Sequence, residues 1–125
     1  MKFATIIIAA LAVMPALGDD VDCNKATTQI DLDMCANKDY GAADKLLNDT
    51  YKKVVAAQEG DTAKLKAAQR AWIAFRDAEC TFEVAENEGG TIYPMVYTMC
   101  LTKLTKTRTA ELNSYLACQK DATNC

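Results

Sequence analysis

Carboxylates are the side chains of this sequence that could do chemistry, because it has no histidine and a single serine, Ser114. Closely spaced acidic pairs occur at Asp31 and Asp33 and at Asp39 and Asp44. Glycoside hydrolysis requires two carboxylates that face each other across a cleft, whereas these pairs fall on predicted helix surfaces. Ser114 has no histidine to activate it, and the sequence contains no phosphate-binding loop or cofactor motif. We therefore expect a binding protein with no catalytic residues and no cofactor.

Six cysteines predict a disulfide-bonded fold rather than a metal or redox site. A cysteine zinc site or a thioredoxin-like redox site typically uses a Cys-x-x-Cys pair, and the sequence has none. So many cysteines in a short chain are typical of proteins that fold in an oxidising compartment.

Geometry favours disulfides between cysteines that are near each other in the chain. Cys80 and Cys100 lie almost symmetrically about Gly89-Gly90, so antiparallel helices joined there would bring them level. An extended segment can likewise fold back onto the second turn of the first predicted helix, and a C-terminal tail can close on itself. The local set is Cys23–Cys35, Cys80–Cys100 and Cys118–Cys125. A rival set stays open, in which a turn at Gly60 allows Cys35–Cys80 together with Cys23–Cys100.

The first 18 residues have the features of a cleaved signal peptide. Lys2 is followed by an uncharged apolar run over residues 3–14, and small residues precede Asp19. The run is shorter than the roughly 20 residues that span a bilayer, so we expect no membrane span. The expected mature protein is a single domain, residues 19–125, in the periplasm or outside the cell. Its oligomeric state does not follow from the sequence.

A first helix is predicted from the region of Thr28 to about Gln58. Thr28 fits an N-cap with Asp31 three residues later, and apolar residues then recur at helical spacing. Gly41 interrupts this pattern, so a helix broken near Gly41 and one long helix are both open.

Two further helices follow after clear breaks. Residues 59–62 contain Gly60 and two capping residues, and a second helix is predicted from residue 63 to about 85. Residues 88–91 form a glycine-containing loop, and a third helix begins near Pro94 and continues to about residue 116. Short connections between helices predict an all-α, disulfide-stapled three-helix bundle with up-down-up topology.

Acidic residues cluster just before the loop between the second and third helices, namely Glu79, Glu83, Glu86 and Glu88. The formal net charge of −3 excludes a dominant nucleic-acid role, because phosphate binding needs a basic surface. An acidic loop would attract a basic protein partner. The candidate partner-binding residues are Glu86, Glu88, Thr91 and Tyr93. The open alternative is a solvated helix end, with Gly89 and Gly90 forming a turn held by the neighbouring disulfide.

A second candidate cluster combines two residue pairs at i, i+4 spacing, Trp72 with Arg76 and Asp44 with Asn48. Trp and Arg are frequent anchors of protein interfaces, but a core Trp with an Arg stacked at its rim has the same spacing. The spacing leaves open whether Phe75 or Arg76 lies on the buried side of its helix. We expect Asp44 and Asn48 to meet an arginine across the hairpin in a buried polar network, and we expect a structural role for the whole cluster.

A series of motifs runs through residues 22–116, nearly all of the expected mature chain. They are Cys23–Gln29, Cys35-Ala36, Tyr40, Ala43-Asp44, Leu47-Asn48, Tyr51, Ala68–Cys80, Glu88–Met95, Cys100 and Arg108. In order and spacing they resemble the LprI-like family, which comprises lysozyme-inhibitor lipoproteins and their secreted relatives. The chain departs from the lipoprotein pattern, because it has no cysteine at the predicted cleavage site and has the additional Cys118 and Cys125.

The resemblance implies a small helical domain in the periplasm or outside the cell. It also implies a protein partner, since at least one member of the family is described as an inhibitor of host-type lysozyme. Our first hypothesis is therefore a lysozyme inhibitor that blocks the cleft of a basic lysozyme by surface complementarity. The second hypothesis is an envelope-stress or protein-interaction module with the same scaffold and no affinity for lysozyme.

Overall fold

The computed structural model describes residues 20–125, which fold into three long helices. Helix α1 spans Gln29–Ala57, α2 spans Ala63–Glu83 and α3 spans Tyr93–Lys120. Short 3-10 turns follow at Ala85–Asn87 and Ala122–Asn124. No β-strand occurs between residues 20 and 125, and the predicted all-α class is confirmed. The predicted signal peptide, residues 1–18, lies outside the described residues.

Helix α1 passes through Gly41 without a break, so the alternative of a helix interrupted near this residue is wrong. A Cβ atom at position 41 would meet nothing within 4 Å. The glycine therefore costs only its intrinsic helix penalty of about 0.5–1 kcal/mol, which the packing of the rest of α1 offsets. The predicted N-cap is confirmed, since the Asp31 backbone amide donates a hydrogen bond of 3.2 Å to Thr28 Oγ1.

Side-chain hydrogen bonds between helices show the direction in which each helix runs. From α1 to α3, Gln29 Nε2 lies 3.9 Å from Met95 Sδ and Asn37 Oδ1 accepts from Thr98 Oγ1 at 3.4 Å, so these two helices are parallel. From α2 to α3, Gln69 pairs with Arg108 and Glu83 pairs with Lys103, so these helices are antiparallel. The up-down-up topology is therefore confirmed.

The most extensive contact in the bundle lies between the parallel helices α1 and α3. Along α1, small side chains are buried at every seventh position, at Ala36, Ala43 and Thr50. Larger side chains alternate with them along the same face, at Tyr40, Leu47 and Val54. This heptad spacing keeps one face of α1 against α3, and the small residues let the two helices approach closely.

Two hydrophobic clusters fill the bundle, one towards each end. At the loop end, the Cys80–Cys100 disulfide is buried together with Val84 and Leu101. At the other end, Leu47, Val54 and Leu112 are buried, and the partly buried side chains that pack around them are Tyr51, Leu65, Trp72 and Leu116. Helix α2 thus contributes a disulfide to one cluster and a tryptophan to the other.

The three disulfides are the predicted local set, Cys23–Cys35, Cys80–Cys100 and Cys118–Cys125. The rival pairing through the Gly60 turn is therefore wrong, because Cys80 faces α3 rather than Cys35. Helix α3 extends four residues past the predicted end and carries Cys118 in its last turn. Between residues 20 and 125, no helix is both long enough and apolar enough to cross a bilayer.

We predict that Ala43→Leu destabilises the protein by about 1–3 kcal/mol, because added methylene groups overpack a closely approached helix face. Ala43 is only 4% exposed. Urea unfolding followed by circular dichroism measures the change. Gly41→Ala is the matched control two residues away on the same helix, and it is expected to stabilise by about 0.5–1 kcal/mol. Equal stabilities of the two variants would contradict the close packing of this face.

We also predict that removing the Cys80–Cys100 disulfide by replacing both residues with Ala lowers the free energy of unfolding by about 3 kcal/mol. The disulfide closes a loop with a sequence separation of 20. Without the disulfide the unfolded chain gains conformational entropy, which stabilises the unfolded state by about this free energy. The corresponding double replacement of Cys118 and Cys125, whose separation is 7, should cost less. An equal loss in both variants would show that loop length does not determine the effect.

Candidate functional site

The connection between α2 and α3, residues 84–93, forms a compact tip of consecutive tight turns. The Asn87 amide donates to Val84 O, the Gly90 amide donates to Asn87 O, and the Tyr93 amide donates to Gly90 O. Gly89 has a φ of 78°, which residues with a side chain rarely adopt. A Cβ atom at Gly90 would lie 3.1 Å from Asn87 O. We call residues 84–93 the acidic tip; its turns need the positive φ of Gly89, and a side chain at Gly90 would crowd Asn87 O.

The predicted partner-binding residues all belong to the acidic tip, but they do not have the same exposure. Glu86, Glu88 and Thr91 are exposed. Tyr93 is half-buried against the disulfide cluster and stacks on Tyr97 with ring centroids 5.9 Å apart. The three exposed residues are therefore available to a partner, whereas Tyr93 anchors the tip to α3.

The charge of the acidic tip is largely unneutralised. The nearby Glu83 is neutralised, since Lys103 Nζ lies 2.6 Å from its Oε1 atom. Neither Glu86 nor Glu88 forms an ion pair with any residue of the described range 20–125. Ile92, next to them, is 41% exposed. The tip thus presents two free carboxylates beside an apolar side chain.

An exposed phenylalanine just before the acidic tip was missed by the sequence reasoning. Phe82 is 78% exposed, whereas its neighbours Cys80 and Val84 are buried. The sequence does contain a signal for it, because Phe82 lies seven residues, about two helical turns, after Phe75 and therefore on the same side of α2. The structure assigns Arg76 to the buried side of α2 and leaves Phe75 55% exposed.

Arg76 is the centre of the second candidate cluster and is only 7% exposed. Its guanidinium carbon lies 5.3 Å from the Trp72 ring centroid and 5.7 Å from that of Tyr40. Asp77 neutralises it, with Oδ1 at 2.9 Å from Nε and 2.8 Å from Nη2. Burial raises the pKa of the Tyr40 phenol, and the positive charge of Arg76 opposes this rise. The arrangement fastens α2 to α1 through a stacked cation.

Asp44 and Asn48 do not join Arg76 in the expected buried network. Asn48 is exposed and its Nδ2 donates to Asp44 Oδ2 at 3.1 Å. Both residues line an open groove of about 370 Å³ between α1 and α2, together with Arg70 and Arg76. No hydrogen bond joins either residue to an arginine within the described range, because the groove separates the two helices.

A second buried arginine on α3 links α3 to α2. Arg108 is 8% exposed, its Nε donates to Gln69 Oε1 at 3.1 Å, and its Nη1 lies 2.7 Å from Glu111 Oε2. Gln69 itself is 8% exposed. Arg108 appeared in the sequence only as part of a family motif, and the polar link to Gln69 was missed because neither residue has an unusual spacing.

No cluster of side chains within residues 20–125 has the composition of a metal site. The acidic pair of Asp31 and Asp33 lies in the first turns of α1, where Gln29 Nε2 donates to Asp33 Oδ1 at 2.8 Å.

We predict that Arg76→Lys destabilises the protein by about 1–2 kcal/mol, because an ammonium group cannot stack between two rings and form a two-pronged contact with Asp77. Urea unfolding measured by the fluorescence of Trp72, the single tryptophan, reports the change. Arg70→Lys, at an exposed position of the same helix, is the control and should be nearly neutral. Similar effects of the two substitutions would count against the stacked-cation account.

Comparison with known families and proteins shows what this chain is similar to. A family model described as Lysozyme inhibitor LprI matches residues 23–112, which include α1, α2 and most of α3. An uncharacterized protein of Rhizobium meliloti (strain 1021) is 40% identical over 126 residues, covering 90% of this chain and 91% of that protein. No solved structure matches the chain significantly. The resemblance seen in the sequence is confirmed, and the chain belongs to the LprI lysozyme-inhibitor family.

Proposed function

We propose that this protein is a secreted or periplasmic inhibitor of a lysozyme, and that it binds the lysozyme cleft through the acidic tip. Membership of the LprI family supports inhibition as the activity and a protein as the partner. The three disulfides and the apolar N-terminal run support a location outside the cytoplasm. Inhibition proceeds by occupying the cleft and requires no catalytic residue of this chain.

The single observation that carries this proposal is the free negative charge of the acidic tip in a chain of the LprI family. Glu86 and Glu88 are exposed and unpaired within the described residues. Animal-type lysozymes are strongly basic, so such a tip would steer them into contact and raise the association rate.

The rigidity of the acidic tip also suits binding to a cleft. Its backbone is closed by tight turns, and its base is fixed by the Cys80–Cys100 disulfide and by the stacked Tyr93 and Tyr97 rings. A rigid loop loses little conformational entropy on binding. Ile92, half exposed beside the two glutamates, supplies apolar contact area.

We predict that replacing Glu86 and Glu88 together with Gln weakens lysozyme binding about three- to tenfold at low ionic strength, mainly through slower association. The dependence of affinity on salt concentration should become flatter at the same time. Biolayer interferometry of the oxidised mature protein against a panel of basic lysozymes measures both, and a cell-wall clearing assay measures inhibition.

The matched control replaces Asp39 with Asn and Glu59 with Gln, which removes the same charge at exposed positions away from the acidic tip. This control should bind almost as tightly as the unmodified protein. Equal weakening of lysozyme binding in both double variants would mean that the net charge of the protein determines the affinity, and not the position of the charges in the acidic tip. If no lysozyme binds the unmodified protein, the inhibitor proposal fails and the family scaffold serves another envelope partner.

A further inference from the structure

The outward side of α2 carries two exposed phenylalanines that no other part of residues 20–125 covers. Phe75 is 55% exposed and Phe82 is 78% exposed. The exposed residues nearest to them in helical phase are small, namely Ala67, Ala68, Ala71 and Ala78, and Lys64 lies on the same side at the start of the helix. We call Phe75, Phe82 and these four alanines the α2 stripe. The opposite side of α2 carries Gln69, Arg76 and Cys80 and is buried in the bundle.

The two ends of the α2 stripe carry opposite charges. Lys64 lies on this side at the N-terminal end of α2, whereas Lys66 and Arg70 line the groove on the α1 side. Glu79 lies on this side in the last two turns, and the exposed carboxylate of Glu86 follows just beyond the helix. A surface that binds along the whole stripe must therefore match a positive end and a negative end.

We propose that the α2 stripe binds the α2 stripe of a second copy of this chain, as an antiparallel pair with a two-fold axis near Phe75. Antiparallel pairing places Lys64 of each copy near the acidic end of the other copy, whereas parallel pairing would bring like charges together. A uniformly basic partner such as a lysozyme would meet a like charge at Lys64. This proposal does not depend on lysozyme inhibition.

The order of large and small residues fits the same register. Phe82 lies seven residues after Phe75 and Ala68 lies seven residues before it, so the Phe82 ring of each copy faces the Ala68 methyl group of the other, and the two Phe75 rings meet at the axis. Lys64 lies eleven residues before Phe75 and therefore reaches the segment just after α2 of the other copy, which contains Glu86. The alanines between these positions allow the two helix axes to approach closely.

Sedimentation velocity of the oxidised mature protein over a concentration series tests the association. We expect a monomer–dimer equilibrium. Phe75→Asp should raise the dimer dissociation constant at least about tenfold, because it places two unpaired carboxylates at the two-fold axis. Leu46→Asp is the matched control, since Leu46 is an apolar residue of α1 that is 56% exposed, and it should leave the equilibrium unchanged.

Zero-length coupling of lysines to carboxylates, read out by mass spectrometry, tests the orientation. Within one chain, Lys64 and Glu86 are separated by the length of α2, about 30 Å, which is too far to couple. A Lys64–Glu86 product therefore requires two copies in the antiparallel register. The Lys103–Glu83 contact of 2.6 Å within one chain is the positive control and should couple in every variant.

The outcomes separate this proposal from its alternatives. Dimers that Phe75→Asp disrupts, together with the Lys64–Glu86 product, support it. A monomer at all concentrations, or a dimer that Phe75→Asp leaves intact, overturns it. Loss of lysozyme binding in Phe75→Asp while the unmodified protein is monomeric would assign the stripe to the lysozyme instead. Phe82→Asp repeats the test at a second position, and circular dichroism verifies that each variant is folded.

Discussion

The close contact between α1 and α3 is the constraint on which the rest of the structure depends. Small buried residues repeat every seven positions along α1, as at Ala36 and Ala43, and bring the two parallel helices together. Helix α2, which connects them in sequence, therefore lies along one side of this pair rather than between its members. Its attachment depends on a few strong anchors, above all Trp72, the stacked cation of Arg76 and the Cys80–Cys100 disulfide.

Attachment through a few anchors leaves three parts of α2 available to other molecules. The groove on its α1 side stays open, its outward side carries the α2 stripe, and its C-terminal end leads into the acidic tip. The same disulfide that joins α2 to α3 also fixes the base of the tip. The stability of the fold and the rigidity of the acidic tip are thus coupled. Loss of the disulfide would destabilise the protein and would also make the tip flexible, which weakens binding.

Local chemistry made much of the fold predictable, because caps, glycine turns and cysteine spacing act over short distances along the chain. Gly41 was ambiguous because its cost to a helix is smaller than the packing energy of the helix around it. Whether Phe75 or Arg76 faces the interior depended on whether ring stacking and an ion pair could offset the cost of burying a positive charge. Residue spacing does not reveal this. Asp44 was expected to meet an arginine, but the width of the groove depends on the placement of α2 against the other two helices, which local sequence does not reveal.

The two proposed surfaces meet at one residue, and this has a thermodynamic consequence. Glu86 belongs to the acidic tip, and in the antiparallel pair it faces Lys64 of the second copy. A lysozyme that needs the free carboxylate of Glu86 must therefore compete with that lysine. Binding to the monomer alone shifts the association equilibrium towards monomers by mass action, and self-association lowers the apparent affinity for lysozyme by the same linkage. The Glu86 carboxylate that Lys64 neutralises in the dimer is thus available to a basic partner only when the dimer dissociates.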